Sequence, residues 1–345
     1  MRRGVAFAYS FLKSPGTINA AEELLCPHTG EKYHMKYPTI DVVIPSYKPG
    51  ASFRTLLSRL SDQTYPVRNI LIINTDEGKF DSSVVRGIPR AEVFHISKAE
   101  FDHAGTRNMG AGFSDADYLL YMTQDALPAD KTLVERLLQA FGDPKVKISY
   151  ARQIPGRDCR VIEGYTRSFN YPAKSQVKSF DDLEELGIKT FFCSNVCACY
   201  DRVFLREMGG FSAPCIFNED MIFAGRAIKL GYSVAYVAEA RVIHSHNYSA
   251  MQQFHRYFDN GVSQAMHPEV FRGIHSEGEG GRLVKNTIKY LRSVGCGYMV
   301  PRLLFHSAAK YAGFKMGKAY RLLPGWLIHM CTMNPGFWDY KAVDE

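Results

Sequence analysis

The chain has 345 residues, a mass of 39.0 kDa and 46% apolar residues, enough to bury one large core with an appendage. Eight scattered cysteines and no basic, apolar, small-residue leader argue for a reduced, cytosolic compartment, and no stretch reaches about 18 uninterrupted apolar residues, so no transmembrane helix is expected. The net charge of +7 is local: nine basic and no acidic residues fall between Arg282 and Trp338, which leaves the body near neutral and speaks against nucleic acid as a partner.

Residues 1–38 carry no sustained periodicity and read as an N-terminal extension. Regular structure is predicted from Ile40, where an apolar run over 40–44 stopped by Pro45 suits a buried strand, and Phe53, Leu56, Leu57 and Leu60 recur at helical spacing. The alternation continues with strands over 69–73, 91–96 and 118–122 and a helix over 103–114. Continuous apolar strands alternating with helices predict an α/β fold with a mostly parallel sheet covered on both faces, and ligands in such sheets sit at the carboxyl ends of strands.

Further along, a helix is expected over 130–141 with Asp130 as N-cap, then a strand over 145–151. Periodicity fades over 153–189, a candidate acceptor-binding or lid region as readily as a surface insertion. A strand over 190–200 would turn Cys193, Cys197 and Cys199 to one side as small core residues, since their spacing lacks paired metal knuckles; Cys26 with His28 and His34 has no second cysteine nearby. Helices over 201–208 and 220–230 end at Gly209-Gly210 and Gly231, and strand character returns over 233–238 and 241–244. Gly278, Gly280 and Gly281 suggest a joint, giving an extension (1–38), a catalytic domain (39–272) and a basic tail (273–345). In the tail Ile288, Leu291, Met299, Leu303, Leu304, Phe305 and Tyr311 alternate with lysines and arginines, the make-up of amphipathic helices on an anionic membrane surface, with a solvated face or an oligomer contact as the plainer reading.

Three polar motifs punctuate this frame: residues 123–128 (Thr-Gln-Asp-Ala-Leu-Pro), residues 218–221 (Asn-Glu-Asp-Met) and His244-Ser245-His246. One carboxylate at a strand end can hold Mg²⁺ or Mn²⁺ against a diphosphate, and a second on another element can deprotonate a hydroxyl. Those are parts of glycosyl transfer from a nucleotide sugar. No G-x-G-x-x-G follows the first strand, which counts against a dinucleotide oxidoreductase.

The runs Val43-Ile44-Pro45-Ser46-Tyr47, residues 101–108, Thr123-Gln124-Asp125-Ala126 and Asn218-Glu219-Asp220 resemble inverting family 2 glycosyltransferases of the GT-A (Rossmann-like) fold, and more narrowly the bacterial rhamnosyltransferase subgroup, over about residues 40–260. The resemblance implies a donor pocket of Pro45, Ser46, Tyr47, Asp102, His103, Arg107, Gln124 and Asp125, with dTDP-β-L-rhamnose favoured as donor. It also implies Asp220 as general base, and a metal held by Asp125 with His244, His246 being the alternate. Two departures stand out. The pyrimidine contact is left between Asn74 and Asp76, and Gln124-Asp125-Ala126 replaces the usual Asp-x-Asp, so a further metal ligand is needed. Glu219 is expected to raise the pKa of Asp220 or to cap its helix, Arg226 to orient a carboxylate or contact the diphosphate, and Asn195, Arg256, Tyr257 and Asp259 to line the acceptor side. The expected product is a rhamnoside on an oligosaccharide or lipid-linked glycan, made on the inner face of the cell membrane. A galactose, galactofuranose or N-acetylhexosamine donor on the same scaffold, and a non-catalytic nucleotide-sugar binder, are the alternatives.

Overall fold

A computed structural model describes residues 23–25, 32–34, 37–274 and 277–341. Most of the expected N-terminal extension lies outside the described residues, apart from a two-stranded antiparallel pair, β1 (Glu23–Leu25) with β2 (Lys32–His34).

The main sheet begins with β3 (Ile40–Tyr47), followed by helix α1 (Ser52–Ser61), β4 (Asn69–Thr75), β5 (Ala91–Ile96), α2 (His103–Gly112) and β6 (Tyr118–Met122). These strands pair in parallel in the order β5-β4-β3-β6. Period-2 alternation divides their side chains between two cores: Val42, Ile44, Ile70 and Ile72 pack with Phe53 and Leu57 of α1, whereas Val43, Leu71 and Ile73 face the opposite side with Tyr121, Tyr200 and Phe223. Gly110 of α2 lies so close to Val43 that a Cβ there would overlap the valine methyl, which sets how near α2 sits to the sheet.

The second half is mixed. Short β7 (Leu127–Pro128), α3 (Leu133–Gln139), β8 (Val146–Ile154), α4 (Val161–Asn170), β9 (Gln176–Lys178), α5 (Leu183–Leu186), β10 (Cys197–Asp201), α6 (Arg202–Glu207), α7 (Glu219–Lys229) and β11 (Ser233–Ile243) complete it. β10 runs antiparallel between β6 and β8, while β8 and β11 pair in parallel with an irregularity between Val237 and Arg241. That irregularity explains the two strand runs read in the sequence. The strand expected over 190–200 is shorter: residues 187–191 form a 3-10 turn, so Cys193 is buried from a loop, not from the same strand as Cys197 and Cys199. Asp130 does not begin α3; it accepts from the Thr132 N–H and hydroxyl and binds Arg136 and Arg241, tying the helix entry to β11.

Beyond β11 come α8 (Ala250–Met266), α9 (Pro268–Phe271), α10 (Glu277–Ser293), α11 (Val300–Lys318), α12 (Gly325–Cys331) and α13 (Pro335–Lys341). Gly278, Gly280 and Gly281, expected at a joint, lie within the N-terminal part of α10. No helix among the described residues is long and apolar enough to cross a membrane.

The tail approaches the body most closely where α11 crosses α8. A Cβ on Gly313 would strike the Phe254 carbonyl, one on Gly317 the Phe258 carbonyl, and one on Gly261 the Phe314 carbonyl, so α8 and α11 touch backbone to backbone. Asp259 closes the same joint: its carboxylate accepts from Thr332 Oγ1 (2.6 Å), the Met333 N–H (3.0 Å) and Asn334 Nδ2 (3.0 Å). Asp259 is therefore a structural anchor and not an acceptor contact. A single methyl at the crossing has no yielding side chain to displace, so Gly317→Ala is expected to lower stability by about 1–3 kcal/mol in urea unfolding, where an unchanged midpoint would refute the backbone contact.

Candidate active site

The carboxyl ends of β6, β8 and β11 converge on Asp125. It sits in the turn after β6, where Ala126 N–H donates to the Thr123 carbonyl and Thr123 N–H to that of Val196. β11 then delivers two histidines two residues apart, on the same side of an extended segment. His246 Nε2 lies 3.1 Å from Asp125 Oδ2 and His244 Nε2 lies 3.5 Å from Oδ1, and the donor atoms of all three residues fall within 4.8 Å of one another. Burial acts to raise the Asp125 carboxyl, but hydrogen bonds and charge from both histidines outweigh it and hold the group well below the usual carboxylate range. One carboxylate and two imidazole nitrogens form a donor set that fits a divalent ion, with room for substrate oxygens to complete it. The sequence left a choice between the two histidines; the structure brings both to Asp125.

His244 is held from behind. Its Nδ1 lies 2.9 Å from Gln153 Oε1 on β8, whose neighbour Ile154 accepts the His244 N–H at 3.0 Å. An amide oxygen can only accept, so Nδ1 carries a proton; Nε2 of the protonated ring donates to Asp125, and in the neutral ring its lone pair would be offered to an ion held with Asp125. Gln153 also binds Ser194 Oγ (3.0 Å), Tyr171 and Arg167, and Arg167 pairs with Glu163 at 2.7 Å. The region where periodicity fades thus contributes α4 to the wall of the site. Gln153, Glu163 and Arg167 were not found from sequence; only the pairing of Gln153 with Val242 in the folded sheet sets its strand beside the histidine segment.

Across the cavity stands an acidic pair. Asn218, left-handed at φ 64°, turns the chain into α7 so that Glu219 and Asp220 occupy its first turn. Arg107, buried on α2, binds Glu219 at 3.2 Å, and Asn195 Nδ2 donates to the same carboxylate at 3.1 Å. Burial acts to raise the Glu219 carboxyl, but Arg107 and His103 outweigh it and keep that group ionised. Asp220 accepts from the backbone N–H groups of Asn195 (2.8 Å) and Met221 (2.7 Å), and among the described residues no cation forms an ion pair with it. Burial first, and the Glu219 charge second, push its carboxyl up to about 7. An aspartate poised there can accept a proton at physiological pH.

The donor end is more open. Tyr47 at the tip of β3 exchanges two hydrogen bonds with Gln124, its N–H to Oε1 (2.9 Å) and its carbonyl from Nε2 (3.0 Å). This fixes the turn before Asp125 to the first strand. Pro45 and Ser46 lie within β3, and Ser46 Oγ donates to buried Asn74, whose amide reaches the Asp76 carbonyl (3.2 Å) and His95 (3.1 Å). Asn74 therefore shapes the turn, while Asp76, left-handed at φ 68° and paired with Lys98 at 3.2 Å, is the more accessible of the two.

Two expected site residues lie elsewhere. Asp102 caps α2 through the N–H groups of Ala104 and Gly105 and also accepts the Cys215 N–H, so its oxygens are spent on structure. Arg226 binds the Met208 carbonyl (2.9 Å) and Ser212 Oγ (3.3 Å), away from both carboxylates; the arginine that meets Glu219 is Arg107. His103, Arg107, Asp125, Asn195, Glu219, Asp220, His244 and His246, with Arg256 and Tyr257, line one cavity of about 390 Å³.

The family model for glycosyl transferase family 2 matches residues 41–209. The chain is 38% identical over 305 residues to the O-antigen chain rhamnosyltransferase RfbN of Salmonella typhimurium, covering 87% of this chain and 96% of that one. This chain belongs to glycosyl transferase family 2. The O-antigen chain rhamnosyltransferase WbaN of Salmonella anatum is 35% identical, covering 88% of this chain and 96% of its own. Among solved structures, the mannosyltransferase PcManGT from Pyrobaculum calidifontis, in complex with GDP-Man and Mn²⁺, overlays with a TM-score of 0.52 at 15% identity, covering 90% of this chain and 87% of that one, a likeness of fold. The protein is a glycosyltransferase with a GT-A sheet and a helical C-terminal region.

Gln153→Leu in this family 2 enzyme removes the acceptor for His244 Nδ1–H. Calorimetric titration with Mn²⁺ should give about 10–100-fold weaker binding, and wild-type affinity would mean that His244 is not oriented through Gln153.

Proposed function

We propose that the protein transfers L-rhamnose from dTDP-β-L-rhamnose to a hydroxyl of a cell-surface glycan precursor, with inversion at the anomeric carbon. The observation that carries the reaction type is one cavity with Asp125 and two histidines on one wall and the buried Asp220, its pKa raised, on another. The sugar rests on the 38% and 35% identity to two O-antigen chain rhamnosyltransferases.

Asp220 takes the proton from the acceptor hydroxyl as that oxygen forms its bond to the anomeric carbon, and the bond from this carbon to the diphosphate oxygen breaks on the opposite face. Asn195 and Met221 hold the two Asp220 oxygens in place through backbone N–H groups, so the base presents a fixed geometry. Glu219, fixed by Arg107, maintains the negative charge beside Asp220. Asp125, His244 and His246 would hold the divalent ion, which when bound neutralises charge on the departing nucleotide diphosphate. Two imidazoles in the set favour Mn²⁺ over Mg²⁺. Tyr47, Asp76 and Lys98 form the end that would receive the thymidine.

The basic tail fits a peripheral place on the inner face of the membrane. Leu304 and Phe305 on α11 and Trp326 and Met330 on α12 are exposed, and Lys315 and Arg321 in the same stretch of chain are exposed as well. Flotation with anionic vesicles should recover the protein at low salt, and a Phe305→Glu/Trp326→Glu double variant should remain in the load fraction. Equal flotation of the two proteins would sink the membrane assignment.

The decisive measurement is turnover with dTDP-rhamnose, dTDP-glucose, UDP-galactose, UDP-N-acetylglucosamine and GDP-mannose, each with Mn²⁺ and with chelator. Metal-dependent turnover of dTDP-rhamnose is expected; preference for a uridine or guanosine donor would discard rhamnose and keep the mechanism. In the same assay Asp220→Asn should slow transfer by about 10²–10⁴-fold. Because only the ionised carboxylate is a base, the wild-type rate should rise with pH through about 7 and level off above it. A rate independent of pH between 5.5 and 8.5, or a folded Asp220→Asn protein with normal turnover, would remove the base assignment.

A further inference from the structure

A second cavity of about 620 Å³ opens beside the catalytic one and shares a long wall with it that includes Met221, His246, Tyr248, Tyr257, Asn260 and Lys310. Its other walls come from α4, α10 and α11 and are largely apolar: Ile162, Leu283, Met299, Leu303 and Phe314 face it. Nucleotide and sugar have no need of such an apolar surface, and Asp125, proposed above for the donor diphosphate, does not line it, although His246 does.

Four cationic or potentially cationic side chains line this cavity, Arg160 and Arg302 at its solvent-exposed rim and His306 and Lys310 half-buried. Arg302, His306 and Lys310 follow one another at four-residue steps on α11 and so share a face, and Arg160 lines the same cavity from the entrance to α4. Among the described residues no carboxylate pairs with Arg160, Arg302 or Lys310, and the acid in the cavity wall, Glu163, is taken by Arg167. His306 reports the crowding: burial lowers its pKa, and the charges of Arg302, Lys310 and Arg160 lower it further. Clustered cations without a counter-charge repel one another, and a multivalent anion would relieve that repulsion. Guanidinium groups with an ammonium suit phosphate oxygens, which the arginines can bind in pairs.

We propose that this cavity seats the carrier end of the acceptor, an alkyl or isoprenoid chain joined through phosphate to the glycan, with its phosphate on Arg160, Arg302 and Lys310 and its chain along the apolar walls of α10 and α11. This rests on the glycosyltransferase reading above and adds to it where the acceptor is gripped. Lys310 belongs to both cavities, so a phosphate held there leaves the attached sugar to extend past Tyr257 and Asn260 toward Asp220.

The test uses the full chain and farnesyl phosphate, farnesol and inorganic phosphate, titrated separately by calorimetry below the concentration at which farnesyl phosphate aggregates. Farnesyl phosphate should bind saturably, and more than about tenfold more tightly than either of the others, since charge-assisted and apolar contacts act together. An Arg160→Gln/Arg302→Gln double variant should lose at least about tenfold in that affinity, while Arg160→Lys/Arg302→Lys, which keeps the charges but not the paired guanidinium contacts, should lose clearly less and so separate loss of charge from loss of fold. Equal binding of farnesol, equal binding of inorganic phosphate, or affinity unchanged in the glutamine variant would each overturn the assignment, as would binding seen only to aggregates or vesicles. The probes carry neither nucleotide nor sugar, so this result is independent of whether dTDP-rhamnose is the donor.

Discussion

Two carboxylates one residue apart at the buried start of α7 are the constraint from which the rest of the site follows. Both cannot be ionised cheaply in a low-dielectric setting, and the structure resolves the conflict unequally. Arg107 and the Asn195 amide attend Glu219, while Asp220 receives only neutral N–H groups. One acid is thereby made a permanent anion and the other is left undecided near neutrality. The two supports come from different layers, Arg107 from α2 beside the parallel half of the sheet and Asn195 from the loop before β10, so the relative placement of both halves of the fold is written into the ionisation of a single side chain.

Asp125 shows the opposite treatment. Its carboxyl is held ionised by two imidazoles, and the more buried of these is itself fixed by Gln153. The two carboxylates are thus chemically distinct for reasons that lie in their neighbours and not in their residue type. A strong acid serves to collect positive charge, and a weak one serves to exchange a proton.

Strands β4 and β6 were legible as apolar runs bounded by Asn or a polar turn, and β3 as one broken only by Asp41 and stopped at Pro45, whereas β5 showed a mixed pattern with Glu92 and His95. Asp125, Asp220, His244 and His246 were legible because they sit at the boundaries of such runs. Gln153 was not, since a glutamine in a strand has no pattern that separates it from any other buried polar residue; only the parallel pairing of β8 with β11 brings it beside His244. Arg226 and Asp102 were misplaced for a related reason. A long arginine on a helix and an acid before one have several partners within reach, and these two met loop carbonyls and backbone N–H groups instead of substrate space. The Thr190 region failed as a strand because its apolar residues fill a 3-10 turn whose carbonyls, at Lys189 and Phe192, are taken by the buried ammonium of Lys178.

The backbone contact between α8 and α11 also bears on how enzymes of this kind can diverge. The residues of α8 that look into the catalytic cavity, Gln253, Tyr257 and Asn260, are interleaved with Phe254, Phe258 and Gly261, which meet α11. Any drift in the tail that shifts α11 by a fraction of an ångström therefore moves one wall of the catalytic cavity. The C-terminal helices are not a detachable handle; they and the acceptor preference would be inherited together, and a chimera that exchanged one for a relative's would exchange both.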